Sequence, residues 1–262
     1  MTVKELLEKK GKEKIIAVNT SDLSLAIACA QAGVDNIVIG RRQPVEITLA
    51  VLPEIRRAVP GILLTAVMPH SSAVISEETA IRDAMRLLEG GADLVYTTGM
   101  CPDRIKALTR QKIPCVSHLG LIPYHATWTG GFRAVGKTAV EAEELYRKAK
   151  ELEEAGVVCV ELECIPDRVA AHISNSVRFL TYSMGSGEAC DGQYLFACDL
   201  LGSHNGHYPR HSICYESFFE KSVEVFRRFR KDVETGAYPQ KKHKISMEEG
   251  EYKDFLERVG KE

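Results

Sequence analysis

The chain has 262 residues, with 34 Lys+Arg against 36 Asp+Glu, 45% apolar and 27% charged residues, 8 Cys and a single Trp. This composition suits one large globular domain or two ordinary ones and excludes disordered, collagen-like and disulfide-framework chains. A formal charge of −2, with no run both basic and aromatic, excludes a nucleic-acid groove as the organising feature.

No uninterrupted apolar stretch approaches the roughly 18 residues needed to cross a bilayer, so no membrane partner is expected. The opening segment, MTVKELLEKKGKEKII, is charged and helical in pattern, and it lacks the apolar core and small-residue cleavage site of a signal peptide. The sequence therefore predicts a cytoplasmic protein. Cys29, Cys101, Cys115, Cys159, Cys164, Cys190, Cys198 and Cys214 form no CxxC pair, and most are expected to be small buried hydrophobes.

Along the chain, short apolar runs alternate with longer amphipathic stretches. The runs are 15–20, 36–40, 63–69, 94–99, 114–120, 159–166, 179–187 and 194–202. Between them lie segments of helical period such as SDLSLAIACAQAG, EETAIRDAMRLLEGG and TAVEAEELYRKAKELEEAG, several opening on a cap residue (Ser21, Ser76, Thr138) and closing on Gly. Eight such units in about 260 residues predict a single (β/α)8 barrel over 1–240, followed by a charged helical extension over 241–262. The competing open sheet would need a glycine-rich phosphate turn after its first strand, where this chain has VNTSD.

Barrel chemistry collects where strands end and the following loops begin. Those ends carry Asn19, Thr20 and Asp22, then Arg41 and Arg42, then Met68, Pro69 and His70, then Thr97 and Thr98. His118 follows on the fifth run, Glu161, Glu163 and Cys164 on the sixth, Ser183, Ser186 and Asp191 after the seventh, and Asp199 with His204 after the eighth. In CVELECIP the alternation sets Val160, Leu162 and Cys164 on one face and Glu161, Glu163 and Ile165 on the other. A carboxylate aimed into an apolar barrel mouth has its charged form disfavoured, which suits Glu163 to acid–base work. Glu161 could sit deeper and serve structure alone. His204, His207, His211 and Cys214, in HNGHYPRHSIC, have spacing a zinc site could use, although so polar a stretch with Gly and Pro reads first as a solvated loop.

Several of these runs together resemble the ketopantoate hydroxymethyltransferase family, of the phosphoenolpyruvate-mutase and isocitrate-lyase type of barrel. They are AGVDNIVIG at 32–40, GGADLV at 90–95, SHLGLIP at 117–123, GGFRAVGKT at 130–138, LEEAGVVCVELECIP at 152–166 and CDGQYLFACDLLG at 190–202. The resemblance implies an enzyme of the pantothenate pathway that adds a one-carbon unit from methylenetetrahydrofolate to the enolate of 3-methyl-2-oxobutanoate, with magnesium holding the oxo acid. It implies a glutamate acid/base at Glu163, a site histidine at His118, and a homo-oligomer.

The same comparison marks departures. Where the family carries Gly-Asp-Ser after its second strand, this chain has Gly40-Arg41-Arg42, and where the family carries Ala-Asp-Met-Pro it has Ala66-Val67-Met68-Pro69. Both magnesium-binding aspartates are thus replaced, and the Lys and Glu of the fourth strand become Tyr96 and Thr98. Magnesium asks for hard oxygen ligands, usually carboxylates, so no metal and no other cofactor is predicted here. A guanidinium can grip a carboxylate bidentately without an ion. The sequence therefore predicts a small carboxylic acid held by Arg41, Arg42, Thr98 and Ser186, with Glu163 and His118 carrying enolate or aldol chemistry. The alternative is a catalytically silent relative acting as a ligand sensor or assembly partner.

Overall fold

The computed structural model describes residues 1–41 and 43–260. Eight strands run in chain order: β1 (Ile15–Asn19), β2 (Asn36–Ile39), β3 (Leu63–Val67), β4 (Leu94–Tyr96), β5 (Cys115–Gly120), β6 (Cys159–Glu163), β7 (Leu180–Met184) and β8 (Gly192–Phe196). All pair in parallel, each with its sequence neighbour, and β8 returns to β1, closing the barrel. The helices are α1 (Val3–Glu8), α2 (Leu23–Gln31), α3 (Val45–Ala58), α4 (His70–Ile75), α5 (Glu77–Glu89), α6 (Pro102–Arg110), α7 (Ala126–Thr129), α8 (Ala139–Glu154), α9 (Asp167–Ser176), α10 (Ala197–Leu201), α11 (Phe218–Thr235) and α12 (Glu249–Val259).

Two buried layers follow from the period-two geometry of these strands. Leu63 and Val67 of β3, Leu94 and Tyr96 of β4, and Cys159 of β6 face inwards and pack with Ile15, Tyr182 and Tyr194. The intervening Leu64, Ala66, Val95, Val160 and Leu162 face outwards beneath Leu52, Leu87, Leu108 and Leu152 of the helices. Strands covered on both sides must be apolar almost throughout, which is why they read as short continuous runs. Before the first strand, Thr2 and Glu5 cap α1 reciprocally. Leu6 of that helix, fully buried, joins the inner cluster, a placement that contributes about 1.5–3 kcal/mol by removing its side chain from water.

Several expectations are corrected in detail. The eighth run is strand only to Phe196; Ala197–Leu201 turns into α10 and ends on Gly202 in the left-handed conformation. The cap of α2 is Asp22, whose side chain accepts from the Leu25 amide, while Ser21 accepts from the Gly40 amide. Of the eight cysteines only Cys115, Cys159 and Cys190 are buried; Cys29, Cys164 and Cys198 are half-buried, Cys101 and Cys214 are exposed, and all eight are free thiols.

The described chain divides into two compact units, one of Met1–Gly202 with Gly206–Glu216 and one of Ser203–Asn205 with Ser217–Glu262. The sequence expectation set the boundary of the helical extension at 240, between α11 and α12. Neither α11 nor α12 buries a residue, so amphipathic period alone gave no sign of which unit α11 belongs to. Among the described residues no helix is long and apolar enough to cross a membrane.

Candidate active site

A cavity of about 540 Å³ opens at the end of the barrel where the strands finish. Asn19, Arg41, Tyr96, Thr98, His118, Glu161, Glu163, Met184, Tyr194 and Phe196 line it, with Tyr124, Phe132 and Pro209 supplied by loops. Strands β1, β4, β5, β6 and β8 thus offer at least one polar or aromatic group each, β3 and β7 offer the apolar Val67 and Met184, and the segment after β2 offers Arg41.

The acid–base side comes from β5 and β6. Their register sets His118 beside Glu161 and Gly120 beside Glu163. Gly120 is required there: at φ +93° a Cβ on it would stand 2.1 Å from the Glu163 carbonyl oxygen. The Leu121 amide donates to that same carbonyl at 2.9 Å, and the Cys164 amide donates to Met184 at 2.9 Å, so the main chain on both sides of the Glu163 side chain is fixed. Cys164 follows at φ +52°, which ends the alternation of β6 and turns Ile165 into the outer apolar layer.

His118 Nε2 lies 3.0 Å from Glu163 Oε2. Neither ring nitrogen is aligned for a hydrogen bond with protein atoms, although His118 is only 5% exposed, so this contact rests on proximity of charge and leaves the ring free to meet a ligand. The Tyr96 hydroxyl donates to Glu161 Oε2, and Asn19 Nδ2 donates to Gly40 O at 3.0 Å and to the Tyr194 hydroxyl at 3.3 Å. Burial raises the Glu161 carboxyl to about 7; the charge of Glu163 adds to this, while His118 and the Tyr96 hydrogen bond pull against it. Burial alone would lower His118, but Glu161 and Glu163 outweigh it and the net direction is upward. The Cys164 thiol, 3.6 Å from His211 Nδ1, is pushed up to about 11 by burial and by the two carboxylates, which keeps it protonated and unsuited to nucleophilic attack at neutral pH.

The cationic side is Arg41. Gly40, at φ +96° with Thr48 Oγ1 where a Cβ would stand, turns the chain out of β2 and delivers Arg41 to the mouth. Its guanidinium lies 4.5 Å over the Phe196 ring and donates from Nη2 to Cys198 Sγ at 3.1 Å.

Of the residues the sequence singled out, the structure thus brings His118, Glu163, Arg41 and Thr98 to one cavity, together with Asn19 and Glu161. Ser186 does not join them: fully buried, it donates to Leu162 O at 2.7 Å and accepts from the Ile165 amide at 3.0 Å, which makes it a brace between β6 and the loop after β7. Asp191 precedes β8 rather than ending β7, so it lies at the far end of the strands, paired with Lys10 at 2.8 Å. Thr97 spends its hydroxyl on Val116 O. Arg42 lies outside the described residues. His211 faces Cys164 and Cys214 donates to Glu216 O at 2.9 Å; among the described residues His204, His207, His211 and Cys214 do not gather into one donor set. The residues missed were Tyr194 and the partnership of Tyr96 with Glu161, both of which inward alternation on β8 and β4 would have marked.

The magnesium implied by the resemblance does not fit the residues at the ends of β2, β3 and β4. Arg41, Val67, Tyr96 and Thr98 offer no carboxylate there, and a fixed guanidinium repels a cation. Among the described residues that line the cavity, the carboxylates are those of β6: donor atoms of His118, Glu161 and Glu163 lie within 4.8 Å of one another, a spacing that suits a divalent ion or shared protons.

The barrel as a whole matches known proteins. The ketopantoate hydroxymethyltransferase family profile covers residues 1–241. A 3-methyl-2-oxobutanoate hydroxymethyltransferase of Thermotoga maritima is 33% identical over 94% of this chain and 97% of its own length. Another, of Nitrosopumilus maritimus, is 33% identical over 96% of both. Among solved structures, 2,3-dimethylmalate lyase, of the PEP mutase/isocitrate lyase superfamily, superposes with a TM-score of 0.57 at 13% identity over 93% of this chain and 92% of that one, which speaks for the fold alone. The barrel and its sequence together show that this chain belongs to the ketopantoate hydroxymethyltransferase family.

Proposed function

We propose that the protein is a hydroxymethyltransferase-like enzyme that makes or breaks a carbon–carbon bond next to the oxo group of a small 2-oxo or hydroxy acid, binding the acid's carboxylate through Arg41 rather than through magnesium. The observation that carries this reading is that Arg41 and the Glu163–His118 pair line one cavity. A guanidinium donates two parallel hydrogen bonds to a carboxylate. With the acid anchored so, Glu163 removes the proton at C3 and His118 hydrogen-bonds the oxygen on which the enolate charge develops. Phe196 beneath the guanidinium and Val67 and Met184 along the wall keep the reacting end partly dry, which strengthens each polar contact made there. The acid is a small molecule.

As part of the same reading the enzyme works as a homo-oligomer. Val225, Phe226, Phe229 and Val233 of α11, each at least half exposed in the single chain, support it. Sedimentation velocity is expected to give a species heavier than one chain, and a monomer at every concentration would remove this part.

The direct test follows deuterium exchange at C3 of 3-methyl-2-oxobutanoate, and of a panel of related oxo acids, by NMR. Exchange is expected to proceed equally with added magnesium and with a chelator, because the anchoring charge belongs to the protein. Exchange that needs magnesium would overturn the arginine reading. A panel in which no acid exchanges or binds would leave the silent sensor or assembly partner in its place.

A further inference from the structure

Two carboxyl groups close together in one cavity, one of them buried, rarely keep the same protonation state, because like charges a few ångströms apart in a partly dry site cannot both ionise cheaply. Glu161 and Glu163 are such a pair, two residues apart on the inward face of β6. Their surroundings differ. Glu161 is 3% exposed, lies deeper, and takes its hydrogen bond from a neutral hydroxyl, that of Tyr96; among the described residues no Lys or Arg pairs with it. Glu163 is nearer the mouth and has His118 at 3.0 Å.

We propose that Glu161 is a second catalytic carboxyl, kept neutral while Glu163 is ionised, and that the two act as an acid–base couple across the substrate's oxo group and C3. The proposal rests on the reading of the site given above and deepens it. Glu163 takes the C3 proton as the C–H pair moves into the new C=C bond, and Glu161 gives its own proton to the oxo oxygen as the C=O bond opens. The product is the neutral enol, with Glu163 protonated and Glu161 ionised. When the enol carbon attacks an aldehyde carbon, the enol proton returns to Glu161 and the Glu163 proton passes to the new alkoxide oxygen. Both residues end as they began and no other reactant is consumed. A full enolate charge never has to be carried by the site, which offsets the absent carboxylate ligands of β2 and β3.

The groups facing Glu161 are Tyr96 of β4, His118 of β5, Glu163 of its own strand, Tyr194 of β8 and, at the mouth, Arg41. The aromatic hydroxyls stay neutral, since burial holds Tyr96 and Tyr194 well above the usual phenol range. The ionisable neighbours that remain are His118 and the Glu163 carboxyl.

The test uses the full chain labelled with carbon-13 at the glutamate carboxyls, titrated by NMR from pH 4 to 9. One carboxyl is expected to titrate near 7. Its signal should vanish in Glu161→Gln and move down towards the ordinary carboxyl range in Glu163→Gln, where the like charge is gone. A Glu161 signal titrating with the exposed glutamates would overturn the proposal, as would a stoichiometric divalent ion found on His118, Glu161 and Glu163. In the second arm, Glu161→Gln should lower C3 exchange about 100-fold and abolish the fall in wild-type exchange as pH rises through about 7. A structural residue would lower exchange without changing the pH profile, and that outcome would also overturn it. If the wild type exchanges no acid at all, the functional reading fails while the carboxyl titration still decides the state of Glu161.

Discussion

Arg41→Ala is expected to weaken binding of small 2-oxo acids about 30-fold, on the order of 2 kcal/mol, because the variant loses a charge-assisted pair of hydrogen bonds and replaces it with water. Arg41 stands at the mouth and is exposed, so the loss falls short of that for a fully buried ion pair. Thermal-shift titration with the acid panel checks it: stabilisation by ligand should disappear at concentrations that saturate the wild type. Arg41→Lys should recover only part, since an ammonium keeps the charge and loses the fork. The guanidinium is held over Phe196 and against Cys198, and neither contact supports the barrel, so folding should survive both changes. Binding undiminished in Arg41→Ala would place the carboxylate elsewhere.

Glu163→Gln should leave binding near its original strength and reduce C3 exchange about 1,000-fold, roughly 4 kcal/mol of lost barrier reduction. The amide has the volume of the carboxyl, so His118 and the hydrogen bond from Leu121 to the Glu163 main chain keep their places, and what disappears is the base. Comparing kcat with KM separates the two effects: a fall confined to kcat marks a group used in the reaction, whereas a matching rise in KM would mark a binding role. Exchange within a few-fold of wild type would exclude Glu163 as the base.

The barrel was legible because its strands are buried on both faces and its helices on one, and these two burial patterns have different periods along the chain. The same alternation put Glu161 and Glu163 on one face of β6, and strand-end position marked His118 and Arg41. What the sequence could not supply was contact between distant elements. Ser186 follows a strand just as Thr98 does, yet its hydroxyl is satisfied by the main chain of β6, and no local pattern distinguishes the two. Asp191 was misplaced because a loop residue just before a strand is close in number to one just after the preceding strand, though they lie at opposite ends of the barrel. Tyr96 drew notice only as a substitution, since its meaning comes from a carboxyl 65 positions away.

The contact between Gly120 and the Glu163 carbonyl bears on how such a protein changes over time. One methyl group at that glycine would force β5 from β6 and disturb the chain's architecture before any question of turnover arose. Foldability alone is then enough to require a glycine at this position, whatever chemistry the side chains around it perform. The glycine is a record of packing, and the record of activity must be sought in Arg41, His118 and the acidic pair.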